Sequence, residues 1–150
     1  MQLSLERPME FTVRPRVETD VFQVDTGATL LLLPWEVVTN YYSEIPDAMY
    51  DKEFGGYTMP CGSSPPNLWI GTSGYQVNKD GTLNTGTAIS VPGNFMIRHF
   101  YDSSGVRKCF GGLQPNTGFE VALYGDIFLK AAFVVFDGGN LRLGFAAKSV

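Results

Sequence analysis

The tightest constraint in this chain is the run Val24-Asp25-Thr26-Gly27-Ala28-Thr29, which passes at once into Leu30-Leu31-Leu32-Leu33-Pro34. Aliphatic and β-branched residues on either side of an Asp and a Gly describe a strand, a sharp turn and a return into the core. Gly27 permits backbone conformations and close approaches that are closed to other residues. Thr26 brings a hydroxyl for a local or cross-chain hydrogen bond. Such a loop is suited to holding one carboxylate, that of Asp25, at a surface where it meets a partner. Asp and Gly also dominate ordinary solvated turns, so the weight of this stretch depends on the rest of the chain.

A length of 150 residues suits one domain able to bury most of its apolar surface. Only 17% of residues are charged, while 17 are Gly and 9 are Pro, which favours strands and turns over helices. A net charge of -4 argues against a nucleic-acid partner, which needs a basic face. No apolar run has the length of a membrane span, and Met1 to Pro8 contains no apolar run of signal-peptide length.

Cys61 and Cys109 are too few for a zinc site with four sulfur ligands. No acidic pair or cysteine–histidine arrangement has ligand spacing, so no metal is expected. The two cysteines are either buried thiols or one bridge. A bridge would be worth roughly 4 kcal/mol on the chain-entropy account and would imply an oxidising compartment. His99, the one histidine, belongs to no motif and reads as structural or solvated.

In chain order, Phe11, Val13, Pro15 and Val17 alternate with polar residues, so residues 1–20 read as a divergent segment with an edge strand. Val21 to Val24 is a strand leading into Asp25, and Leu30 to Leu33 reads as fully buried. Val37, Val38, Tyr41, Tyr42 and Ile45 share a helical face, predicting a helix over about 35–44 ended by Pro46. Strands are expected near 57–60, 68–71, 74–78 and 87–91, with Asp80-Gly81 as a hairpin turn. Residues 102–107 read as an exposed loop, and a strand starts at Cys109. Asp126 is placed to cap a short helix over Ile127 to Ala131. Ala132 to Phe136 reads as a buried strand, Asp137 to Asn140 as a turn, and Leu141 to Ala146 as the returning strand.

At this point the chain resembles the C-terminal lobe of pepsin-like aspartic endopeptidases, most closely the fungal ones. Four landmarks fall in order: Val24 to Pro34; Gly56-Tyr57-Thr58-Met59-Pro60-Cys61 with Cys109-Phe110-Gly111-Gly112-Leu113-Gln114; Ile89-Ser90-Val91-Pro92-Gly93; and Tyr124 to Lys130 running into Val134 to Asp137 and Leu143 to Ala146. The resemblance implies an all-β lobe over 21–150 with short helices near 35–44 and 126–131. It implies a disulfide between Cys61 and Cys109. It makes Asp25 one of two catalytic aspartates, Thr26 the threonine that ties two active-site loops together, and Gly27 the glycine that lets them approach. Leu123-Tyr124-Gly125 then matches the segment that completes a ψ-shaped loop around the aspartate.

The chemistry so implied uses two carboxylates and a water, with no metal or cofactor, and acts on polypeptide substrates. This chain carries one such motif. The resemblance therefore implies a partner, either an N-terminal lobe or a second copy of the chain, and little catalysis by the chain alone. Ala28 stands where most such lobes have Thr or Ser, although retroviral enzymes also carry alanine there. The alternatives are a non-catalytic peptide-binding lobe, holding extended peptide by strand pairing, and a retroviral-style homodimer that regenerates the pair on a two-fold axis. Secretion or vacuolar delivery is the localisation the resemblance implies.

Overall fold

The computed structural model describes residues 10–13, 22–71, 76–77, 83–84 and 88–149, with side chains over 22–71 and 88–149. The elements run β1 (Glu10–Val13), β2 (Phe22–Val24), β3 (Leu31–Leu33), α1 (Trp35–Ser43), β4 (Met49–Asp51), β5 (Gly56–Met59), β6 (Asn67–Gly71), β7 (Gln76–Val77), β8 (Leu83–Asn84) and β9 (Ala88–Val91). A 3-10 turn over Gly93–Met96 leads to β10 (Ile97–Tyr101), β11 (Arg107–Gly111), β12 (Leu113–Pro115), β13 (Ala122–Tyr124), α2 (Asp126–Ala131), β14 (Ala132–Asp137) and β15 (Arg142–Ala147). Short strands joined by turns, with two short helices, make this the all-β lobe expected.

The strands form sheets in the orders β1-β6-β9, β10-β11-β5-β4 and β12-β3-β13-β2, with β14-β15 and β7-β8 as separate ribbons. β7 and β8 pair antiparallel, as a hairpin requires; the Asp80-Gly81 turn itself lies outside the described residues. So does the part of the first expected strand beyond Val13, while Glu10–Val13 pairs parallel with β6 at a sheet edge.

α1 sits one residue inside the expected span and buries Val38, Tyr41 and Tyr42, with Ile45 beyond its end. Both tyrosines anchor the helix through their hydroxyls: Tyr41 donates to the Pro66 carbonyl at 2.8 Å and Tyr42 to the Leu113 carbonyl at 2.7 Å. Burial raises both phenol pKa values well above the ordinary one. Tyr42 stacks flat on Tyr57, with centroids 4.4 Å apart. Gln114 is a buried polar side chain that joins β12 to β5. It accepts from Tyr57 N–H at 2.7 Å and donates to the Tyr57 and Gly111 carbonyls at 2.9 and 2.8 Å. Its polar atoms are satisfied, so its burial costs little.

Two apolar runs behave differently from expectation. Leu30 to Leu33 is not uniformly buried: Leu31 and Leu33 are in the core, while Leu30 and Leu32 are half-buried. The run is a strand, and alternate side chains point to opposite faces. β14 is a strand but not a buried one. Phe133, Val135 and Phe136 are 61%, 62% and 55% exposed. β14 pairs only with β15 among the described residues. Phe133 and Val135 lie on one face of the strand and Phe136 on the other, and Lys148 Nζ stands 5.1 Å from the Phe133 ring centroid.

Candidate active site

The loop carrying Asp25 is built by backbone bonds from three directions. β13 lies between β2 and β3, parallel to β2 (Leu123 opposite Gln23) and antiparallel to β3 (Tyr124 opposite Leu31). β2 and β3 are the arms on either side of the Asp25 turn, so β13 threads between the two arms of one loop. Asp25 N–H donates to the Tyr124 carbonyl at 3.1 Å, and Gly125 N–H donates to the Leu30 carbonyl at 3.2 Å. The first N–H groups of a helix have no intrahelical acceptor. In α2 those of Asp126 and Ile127 are spent on the loop, reaching the Ala28 and Thr29 carbonyls at 2.8 and 3.3 Å.

Within the loop, Ala28 N–H closes a turn on the Asp25 carbonyl at 3.3 Å. Gly27 N–H donates to Asp25 Oδ1 at 2.8 Å. The carboxylate thus caps its own turn, which fixes its rotamer. Among the described residues that is its one hydrogen bond. Thr26 is exposed, its hydroxyl pointing to no described partner. Ala28 supplies no hydroxyl.

Gly125 is where the close approach becomes visible. A Cβ there would lie 2.5 Å from the Ala28 and Leu30 carbonyl oxygens, which are backbone and cannot swing aside. Beneath the loop, Phe22 stacks on Tyr124 with centroids 4.7 Å apart, and Tyr124 packs on Phe128 of α2 at 4.8 Å. The structure therefore brings Asp25, Thr26, Gly27 and Gly125 to one place. Asp126 is not the cap expected of it. Gly125 occupies the N-cap position, and the Asp126 carboxylate reaches forward one turn to Lys130 Nζ at 3.0 Å. The loop's carbonyls do the capping instead, which no local pattern around residue 126 could reveal.

Cys61 and Cys109 form a disulfide with Cα atoms 5.1 Å apart, in the β10-β11-β5-β4 sheet rather than at the Asp25 loop. No helix among the described residues is long and apolar enough to cross a membrane.

The profile of the family described as eukaryotic aspartyl protease matches residues 12–148. The chain belongs to that family. Penicillopepsin-2 of Penicillium janthinellum is 42% identical over 125 residues, which cover 83% of this chain and 28% of that protein. Penicillopepsin-1 of Talaromyces stipitatus is 40% identical over the same shares. Aspergillopepsin-1 of Aspergillus fumigatus is 38% identical, again over 83% of this chain and 28% of its own length. The chain thus spans well under a third of these fungal aspartyl proteases.

Proposed function

We propose that this chain, over residues 21–150, is one lobe of a two-lobed aspartic endopeptidase, supplying Asp25 and half of a cleft for extended polypeptide. The observation that carries this reading is the threading of β13 between the arms of the Asp25 loop, which holds one carboxylate at the edge of a rigid sheet. Family membership and the share of the relatives' length that is matched support it.

The chemistry needs a second carboxylate. Aspartic proteases as a class place two about 3 Å apart, where both cannot ionise and one keeps a proton. The ionised group takes a proton from water, which attacks the scissile carbonyl carbon. The protonated group donates to the carbonyl oxygen, and the roles reverse as the amine leaves. The pair titrates as a unit. In this reading Asp25 is one member, Thr26 reaches across to the opposite loop, and Gly27 and Gly125 let the backbones approach. The other lobe supplies the second aspartate and packs on the apolar face left open on β14 and β15. A disulfide fits an oxidising compartment, so the reading places the protein outside the cell or in a vacuole.

The test is reconstitution. The chain alone is expected to cleave no peptide. Mixed or co-expressed with an N-terminal lobe of a fungal aspartic protease, it should cleave at acid pH, inhibited by pepstatin. Asp25→Asn should then lower the rate by about 10²–10⁴-fold, the range for losing a general acid or base. Cleavage unchanged by Asp25→Asn would end the proposal.

A further inference from the structure

The disulfide sits beside a third side chain that can ligate a metal. In the β10–β11 pair His99 stands directly opposite Cys109, and across β11–β5 Cys109 stands opposite Met59, with Cys61 just beyond. Directly opposed residues of an antiparallel pair project on the same face. The pairing therefore sets the imidazole against the sulfur, with His99 Nδ1 2.9 Å from Cys109 Sγ. The two sulfurs and a ring nitrogen all lie within 4.8 Å of one another. Access is graded: Cys109 is fully buried, Cys61 half-buried and His99 exposed. A shallow depression lined by Met49, Asp51, Met59, Arg107 and Lys108 opens onto Cys61. Ligands so far apart in sequence left no spacing to read.

We infer that Cys61, Cys109 and His99 form a two-state site, a disulfide when oxidised and, when reduced, a binding site for the thiophilic cation Zn²⁺. The ligands are Cys61 Sγ, Cys109 Sγ and His99 Nδ1, with water in the fourth position on the exposed side. Two thiolates and an imidazole are a donor set zinc takes, at about 2.3 Å to sulfur and about 2.0 Å to nitrogen. The cysteine Cα atoms stand 5.1 Å apart. Opening the sulfurs to the separation zinc needs is thus side-chain rotation, with no shift of the sheet.

The redox step balances with a dithiol reductant. Its first thiolate attacks Cys61 Sγ, the more accessible sulfur, and Cys109 leaves as a thiolate. Its second thiol attacks the mixed disulfide, releasing Cys61 and closing the reductant's own ring. Two electrons and two protons pass from the dithiol to the cysteines. Zinc then displaces both protons to solvent, because only thiolates ligate.

Arg107 competes for the same lone pair. Its Nη2 and Nε lie 2.9 and 3.3 Å from His99 Nδ1, and a guanidinium can only donate. Its side chain is exposed and can leave, but its charge opposes a cation. That gives the proposal a signature of opposite sign at two neighbouring residues. The test uses the full chain reduced with dithiothreitol, which is then removed under anaerobic conditions because its own thiolates bind the metal, with Co²⁺ as a spectroscopic stand-in. A thiolate-to-cobalt charge-transfer band should appear, be bleached by stoichiometric Zn²⁺, and be missing from the oxidised chain. His99→Ala should weaken zinc by about tenfold or more, since even an outer partner's loss costs that much. Arg107→Ala should tighten it. A reduced chain with native circular dichroism and no band, equal affinity in His99→Ala, or a disulfide that opens only on unfolding would each overturn the inference. None of these readouts involves Asp25, so the site stands or falls apart from the protease reading.

Discussion

The Asp25 loop and the β14–β15 ribbon are both short, glycine-flanked pieces of sheet, yet they are finished to different degrees. The loop is enclosed: β13 fills the gap between its arms, α2 donates to its carbonyls, and Phe22, Tyr124 and Phe128 pack beneath it. The ribbon is left open. It has two strands, and it shows Phe133, Val135 and Phe136 to solvent. Two-stranded ribbons are marginal by themselves, and contiguous exposed apolar residues mark interaction surfaces. The part that holds the carboxylate is bonded on every side, while the ribbon keeps apolar side chains exposed; in the proposed reading, a second lobe covers them.

The comparison breaks most easily at Gly125. Gly125→Ala should cost about 3 kcal/mol, the upper end for overpacking, because the new methyl meets two backbone carbonyls. Urea unfolding measures it, and a loss below about 1 kcal/mol would mean the loop is looser than its bonds suggest. On the ribbon, Leu141 has φ of 52° and is 91% exposed. Leu141→Gly should gain about 1 kcal/mol by removing left-handed strain without losing a contact, read as a higher thermal midpoint. Replacing Phe133 and Val135 together by Thr should leave the chain's own stability within about 0.5 kcal/mol. The same pair should abolish reconstitution with a second lobe. A large loss of stability in the chain alone would mean the face is already covered.

The smallest effect is a pH effect at the ribbon's turn. Asp137 accepts from the Asn140 side chain and backbone and from Arg142 Nε at 2.8 Å. These bonds, Asn140 first, hold its carboxyl below the ordinary 3.8. A lowered folded pKa means the stabilisation is present above the unfolded value and is lost as pH falls through the lower folded one. Protection of the Asn140 amide from hydrogen exchange should therefore be constant near neutrality and fall only below about pH 3.8. Asp137→Asn should remove that dependence.

Much of this was readable in the chain because the signals were local. The helix at 35–43 follows from side chains on one face, and the turn at Asp25 from its own residues. Three things were not readable. Ala132 to Phe136 is apolar, and apolar residues are usually buried; that Phe133, Val135 and Phe136 are exposed depends on which elements of the fold pack beside them. Asp126 has the composition of a cap, but the carbonyls that displaced it come from Ala28 and Thr29, nearly a hundred residues earlier. Gln114 and His99 take their partners from other strands, so neither carries a pattern around itself. Where a residue's role is set by partners distant along the chain, sequence spacing has nothing to record.

The threading of β13 also has a consequence in time. Gln23 pairs with Leu123, about a hundred residues later. A ribosome releases the Asp25 turn long before it makes the strand that separates its two arms. Until then the arms face a vacant slot whose backbone groups are unpaired, and an extended segment of another chain could occupy it. Non-local parallel pairing is slow to form, so the interval is one in which a nascent chain is most exposed to mispairing. The feature that makes the loop rigid when finished makes it the last part of the sheet that can be finished.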